Sequence, residues 1–148
     1  MHKRNLFLGA LALAMLLPLT GRAATTPDVW KCDFNGTWTE DGKAMGPFTW
    51  AIKWDGEDDK WKVTGTSKDS LGTATTTGTC GDKTCLFQQN YTTGDLKGNA
   101  YYWTGTYVDA DGKTDDTLIE TFTGTWGDKP TDRKNGGTWQ AKAVCKAE

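Results

Sequence analysis

Apolar and polar residues alternate along most of the chain, and the alternation is sharpest between Tyr101 and Trp126. Two near-copies of one pattern lie there: Trp103-Thr104-Gly105-Thr106-Tyr107 and Phe122-Thr123-Gly124-Thr125-Trp126. Successive side chains of a strand point to opposite faces. Each copy therefore puts aromatic, glycine, aromatic on one face and two threonines on the other, the pattern of a half-buried antiparallel strand. Fainter copies recur as Phe34-Asn35-Gly36-Thr37-Trp38 and Gly137-Thr138-Trp139. The same reading predicts eight strands, at residues 31–39, 48–54, 60–67, 73–80, 84–91, 100–109, 117–126 and 137–145. Residues 73–80 are threonine-rich and the least clearly patterned. Turn dipeptides punctuate the rest: Asp41-Gly42 and Gly46-Pro47 in 40–47, Asp55-Gly56, and Gly81-Asp82.

No stretch of helical period interrupts the series, and short connections favour antiparallel neighbours. A plain meander leaves two exposed edges unless it closes, and closing it pairs the first strand with the eighth. The predicted fold is all-β, an eight-stranded antiparallel up-and-down β-barrel. Three adjacent bulky inward residues on one strand would overfill so small a barrel. Glycine between two rings leaves the room and lets the strand bend.

Residues 1–23 read as a signal peptide. His2-Lys3-Arg4 is basic, Leu6 to Leu19 is an apolar run of leader length, and Gly21-Arg22-Ala23 offers small residues for cleavage after Ala23. The mature chain, 24–148, is then a single domain, and it is expected to be periplasmic or secreted. Removing Lys3, Arg4 and Arg22 from the 17 basic residues leaves 14 against 19 acidic ones, a net charge of −5. That balance, with no basic stripe, speaks against nucleic acid. Membrane insertion is not expected either, since one face of the later strands is threonine and lysine (Thr104, Thr106, Thr121, Thr123, Thr125, Lys142) where an outer-membrane barrel needs an apolar outer face.

The 4 cysteines, Cys32, Cys80, Cys85 and Cys145, all lie in the exported part, where an even count reads as disulfides. Three pairings are possible. Cys32–Cys145 with Cys80–Cys85 is favoured: the first joins the two strands that closure brings together, the second clips a short turn. The other pairings, or thiolates on a metal, stay open. The only histidine, His2, leaves with the leader. Histidine triads, Cys–His pairs and the common catalytic zinc sites are thereby excluded, and no cofactor is expected.

At Gly36-Thr37-Trp38 and again at Trp103-Thr104-Gly105-Thr106-Tyr107 the chain resembles the avidin and streptavidin family of exported eight-stranded barrels. Residues 48–54, a Trp-flanked apolar strand, are similar to one of theirs. The resemblance implies a calycin-type barrel with a ligand site in its interior. The biotin binders have Asn two residues and Ser six residues after the first Trp; here Glu40 and Ala44 stand there. No Asp occurs in 139–145, so the biotin-site residues are not matched.

Three constellations are candidates for chemistry. Glu120 has the parity of Phe122 and Trp126, and Gln89 that of Phe87 and Tyr91; a carboxylate and an amide among rings can orient a polar ligand. Asp109, Asp111, Asp115 and Asp116 crowd one loop and Glu57-Asp58-Asp59 another; both read as solvated turns rather than calcium sites. Finally, 8 tryptophans exceed what a core this size needs. The expected function is non-catalytic: an exported binding module that captures a small ligand in its aromatic interior through Trp50, Trp103, Trp126, Tyr107, Glu120 and Gln89. The alternative is an inhibitor or immunity protein that binds a secreted enzyme through the acidic loops. A carboxylate hydrolase is disfavoured, because no second inward carboxylate faces Glu120.

Overall fold

The alternation becomes eight strands: β1 Val29–Glu40, β2 Lys43–Glu57, β3 Lys60–Asp69, β4 Gly72–Gly81, β5 Thr84–Tyr91, β6 Ala100–Asp109, β7 Thr117–Gly127 and β8 Gly137–Ala147. They are seen in a computed structural model that describes residues 29–57, 60–109 and 116–148. The leader, residues 1–23, lies outside the described residues, as do 58–59 and 110–115 of the two acidic loops. Every strand pairs antiparallel with its neighbour in sequence, and β1 pairs with β8, so the sheet closes into a barrel.

The inward residues are those the alternation assigns. Phe34 and Trp38 of β1, Phe48, Trp50, Ile52 and Trp54 of β2, Phe87 of β5, Trp103 of β6, Phe122 and Trp126 of β7 and Trp139 of β8 are all buried. The threonine rule fails in β4, where Thr76 turns inward and is 1% exposed beside Ala74 and Cys80. Its cross-strand neighbours are Gly65 and Gln89.

The segment 40–47 departs from expectation. Only Asp41 and Gly42 form the turn, both at positive φ (48° and 75°), and the chain re-enters the sheet at Lys43. Gly46-Pro47 is not a second turn. The pairing runs Trp38 with Gly46 and then Thr39 with Ala44, so Met45 is an extra residue on β2. Gly46, at φ 119°, takes the backbone that such a bulge needs, and proline is tolerated beside a bulge where a ladder donor is already lost.

Both favoured disulfides are present. Cys32 faces Cys145 in the β1–β8 ladder and Cys80 faces Cys85 across the β4–β5 hairpin. The hairpin turns on Asp82 and Lys83, both at positive φ (41° and 65°), as a two-residue turn of this hand requires.

The middle of the barrel is filled. The Trp50 ring lies 4.9–5.5 Å from the rings of Phe34, Phe48, Phe87, Trp103 and Trp139. The glycines between rings serve the purpose inferred from sequence. A Cβ on Gly105 would sit 2.5 Å from Trp139 Cζ2, and one on Gly124 2.6 Å from its Nε1. The Trp139 indole lies over both glycines and donates to Thr104 O at 3.0 Å and Thr125 O at 3.2 Å.

Because strand direction alternates, the chain divides into two ends. Both disulfides, the β2–β3, β4–β5 and β6–β7 connections and the start of β1 lie at one, here called the disulfide end. The β1–β2 and β3–β4 hairpins, the 92–99 loop and the 128–136 loop lie at the other, the open end.

Candidate ligand-binding site at the open end

At the open end the aromatic filling stops short of the rim and leaves a cavity of about 200 Å³. Trp103 and Gln89 lie deepest. Trp38, Tyr91, Tyr101 and Trp126 form the walls, Met45, Leu71 and Leu96 come from the turns, and Glu40 stands at the rim. Larger hollows, such as one of about 530 Å³ beside Lys60–Thr64 and Thr77–Thr79, are open grooves on the outer wall. They lack the convergent enclosed rings of a small-molecule site.

Each wall is held by its own element. Trp126 Nε1 donates to Thr39 O at 2.9 Å, tying the end of β7 to the end of β1. The rings of Trp38 and Trp126 meet edge to face, 5.3 Å apart at 83°. Tyr101 meets Trp126 at 5.7 Å and 70°, and Tyr91 meets Tyr101 at 5.8 Å and 88°. The 92–99 loop is docked on the β3–β4 hairpin by Asp95 N to Leu71 O at 3.1 Å. That docking brings Leu96 to the cavity.

The polar groups divide into satisfied and unsatisfied. The Tyr91 hydroxyl donates to the Asp69 carboxylate, which also accepts from Leu71 N and Gly72 N. Burial, reinforced by that carboxylate, pushes the Tyr91 phenol well above its ordinary range, so it stays protonated as a donor. Gln89 Nε2 donates to Ser67 Oγ at 2.9 Å. The same amide's Oε1 has no hydrogen-bond partner among the described residues, and neither do Trp38 Nε1 and Trp103 Nε1. An unsatisfied buried polar group costs about 1–3 kcal/mol. Trp50 Nε1 and Trp54 Nε1 share this condition, but those rings belong to the filled interior.

Of the six residues singled out from the sequence, Gln89, Trp103 and Trp126 meet in this cavity. Trp50 is packed beneath it in the core. Tyr107 and Glu120 lie toward the disulfide end. Gln89 pairs with Tyr101 at the start of β6, whereas Glu120 pairs with Asp109 at its finish. Glu120 is 3% exposed, and Tyr107 packs on Phe122 at 5.2 Å and Trp54 at 6.1 Å. Glu120 and Gln89 therefore line no common mouth. Sequence reading passed over Trp38, Tyr91, Tyr101 and Glu40. The signal for them was available: in a meander the last residues of odd strands and the first of even strands share one end, and that end is rich in rings.

The long loop takes no part in the cavity. Arg133 reaches back over the outer wall, donates to Phe87 O and Trp103 O, both at 3.0 Å, and lies 5.4 Å from the Tyr102 ring centre. Desolvation there lowers its affinity for its proton.

No family model matches the chain, and no curated protein matches it. Among solved structures, that of the YwiB protein from Bacillus subtilis is similar over 84% of this chain and 94% of its own, with 6% identity and a TM-score of 0.45.

Proposed function

We propose that the protein is an exported, non-catalytic binding module that holds one small ligand in the open-end cavity. The observation that carries this reading is the pairing of a ring-walled cavity with a buried Gln89 side-chain carbonyl at its floor that has no hydrogen-bond partner among the described residues. A barrel of eight strands has room for side chains or one small ligand. Here the rings fill the middle, and the remaining space lies under the loops at one mouth, where calycin-type barrels of the kind this sequence resembles also bind. Export is supported by the leader-like residues 1–23 and by two disulfides, which persist in oxidising compartments. The cavity lining offers one carboxylate, Glu40, short of the pair that carboxylate hydrolysis uses.

The test is a plug. Leu96→Trp places an indole in the cavity from a half-buried loop position and leaves every residue of the barrel wall unchanged. Protein purified from its native compartment is examined by native mass spectrometry, and both forms are then screened against a small-metabolite panel by tryptophan fluorescence. The wild type is expected to carry or acquire a compound that the plugged form does not. Identical behaviour of the two forms across mass spectrum and panel sinks the reading.

A further inference from the structure

We infer that the open-end cavity takes a small organic cation, an alkylammonium that also carries a hydroxyl group; this rests on the binding role proposed above. The walls supply the first reason. Trp38, Trp126, Tyr101 and Tyr91 form a chain of edge-to-face contacts at 83°, 70° and 88°. Successive ring planes turn through roughly a right angle and border one space from several sides. Ring faces carry the negative side of the aromatic quadrupole, and a cation within about 6 Å of a ring centre is attracted to it. Four rings around one small volume suit a group whose charge is spread over alkyl surface.

Charge supplies the second reason. The one charged residue in the lining is Glu40, exposed at the rim, and the Asp69 carboxylate stands directly behind the Tyr91 hydroxyl. The lysines of neighbouring turns, Lys43 and Lys97, are exposed and do not line the cavity. Arg133 is held on the outer wall by Phe87 O and Trp103 O. An anion would therefore meet rings and a carboxylate with no cation in the lining to receive it, whereas an ammonium meets the rings and the Glu40 carboxylate.

The floor supplies the hydroxyl. Gln89 Oε1 accepts and Trp103 Nε1 donates, and neither has a hydrogen-bond partner among the described residues. A hydroxyl group suits either atom, since it gives a proton and offers lone pairs. The volume agrees with a molecule of this size: about 200 Å³ equals roughly seven waters at ~30 Å³ each, and choline has about that many non-hydrogen atoms. The hydroxyl lies toward Gln89 and the ammonium toward the rings and Glu40.

The experiment is calorimetric titration of the full mature protein with three probes. They are choline, its neutral isostere in which carbon replaces nitrogen, and tetramethylammonium, which keeps the charge and lacks the hydroxyl. Choline is expected to bind about tenfold or more tightly than the isostere, since only the cation is attracted to the ring faces. Tetramethylammonium should fall between them. Glu40→Gln should weaken choline severalfold and leave the isostere unchanged, and Leu96→Trp should abolish all three. If the isostere binds as well as choline and the plug abolishes both, the cavity binds ligands but the cation inference is overturned. If none of the probes binds while the native-source protein carries a compound that the plug removes, the cation inference again falls and the binding role stands. Failure of that role itself is read separately, from wild type and plugged form behaving alike.

Discussion

The two ends of the barrel are built from the same alternating strands and are held in different ways. The disulfide end is locked covalently: Cys32–Cys145 closes the sheet across a sequence separation of 113, and Cys80–Cys85 clips a two-residue turn. The open end has no covalent tie among its described residues. It is held by edge-to-face rings and by single hydrogen bonds such as Trp126 Nε1 to Thr39 O and Tyr91 to Asp69. It keeps a cavity and leaves buried polar atoms unpaired. The covalent ties and the proposed binding cavity thus stand at opposite ends. Binding sites commonly sacrifice local stability to keep polar groups ready for a ligand, and a covalent lock at the far end can offset that loss.

The largest test of this contrast is removal of the long disulfide. Cys32→Ser together with Cys145→Ser is expected to lose about 2–5 kcal/mol in urea unfolding, the range seen for native disulfides in small secreted domains. A loss under about 1 kcal/mol would mean that the ladder alone holds β1 to β8. Overfilling the middle comes next. Gly105→Ala drives a methyl into the Trp139 ring, which two hydrogen bonds prevent from moving away. The expected cost is toward the top of ~1–3 kcal/mol, read as a fall in the thermal midpoint. An unchanged midpoint would show that the ring can shift.

The smallest effect belongs to the open end. Tyr91→Phe removes one hydrogen bond to a carboxylate that keeps its two backbone donors, so about 1.5 kcal/mol is expected. Its pH dependence is the sharper reading. The folded protein holds the Tyr91 proton more tightly than the unfolded chain does. Its contribution is fully present below the unfolded phenol value near ~10 and is lost as pH rises beyond it. The stability difference between wild type and Tyr91→Phe should therefore narrow above about pH 10. A constant difference up to pH ~11 would mean that Tyr91 is not held in its protonated form.

Much of the architecture was readable from residue order. Alternation of rings and threonines located all eight strands, and parity named the inward face in seven of them. Cysteine placement agreed with closure because Cys32 and Cys145 fall in the two strands that a closed meander must pair. What eluded the pattern had local physical causes. Gly46-Pro47 reads as a turn in isolation, but the hairpin was already made at Asp41-Gly42, and the dipeptide became part of β2 beside the bulge at Met45. In β4 the inward face is Ala74, Thr76 and Gly78, too small and too polar to stand out from a threonine-rich strand.

The candidate site was half visible. Gln89, Trp103 and Trp126 were marked by parity alone, and parity marked Trp50, Tyr107 and Glu120 equally. Parity says which side of a sheet a residue takes and nothing about how far along the barrel axis it lies. That height depends on strand direction and on the stagger between neighbours, which separate Gln89 from Glu120 by nearly the full length of β6.

The linear chain therefore carried the period, most of the faces and the closure, and favoured the covalent lock, because each follows from adjacent or alternating residues. Only the tertiary structure decided that the rings fill the middle and leave space at one mouth. That outcome depends on how side chains from eight strands share one volume, and no local pattern contains it.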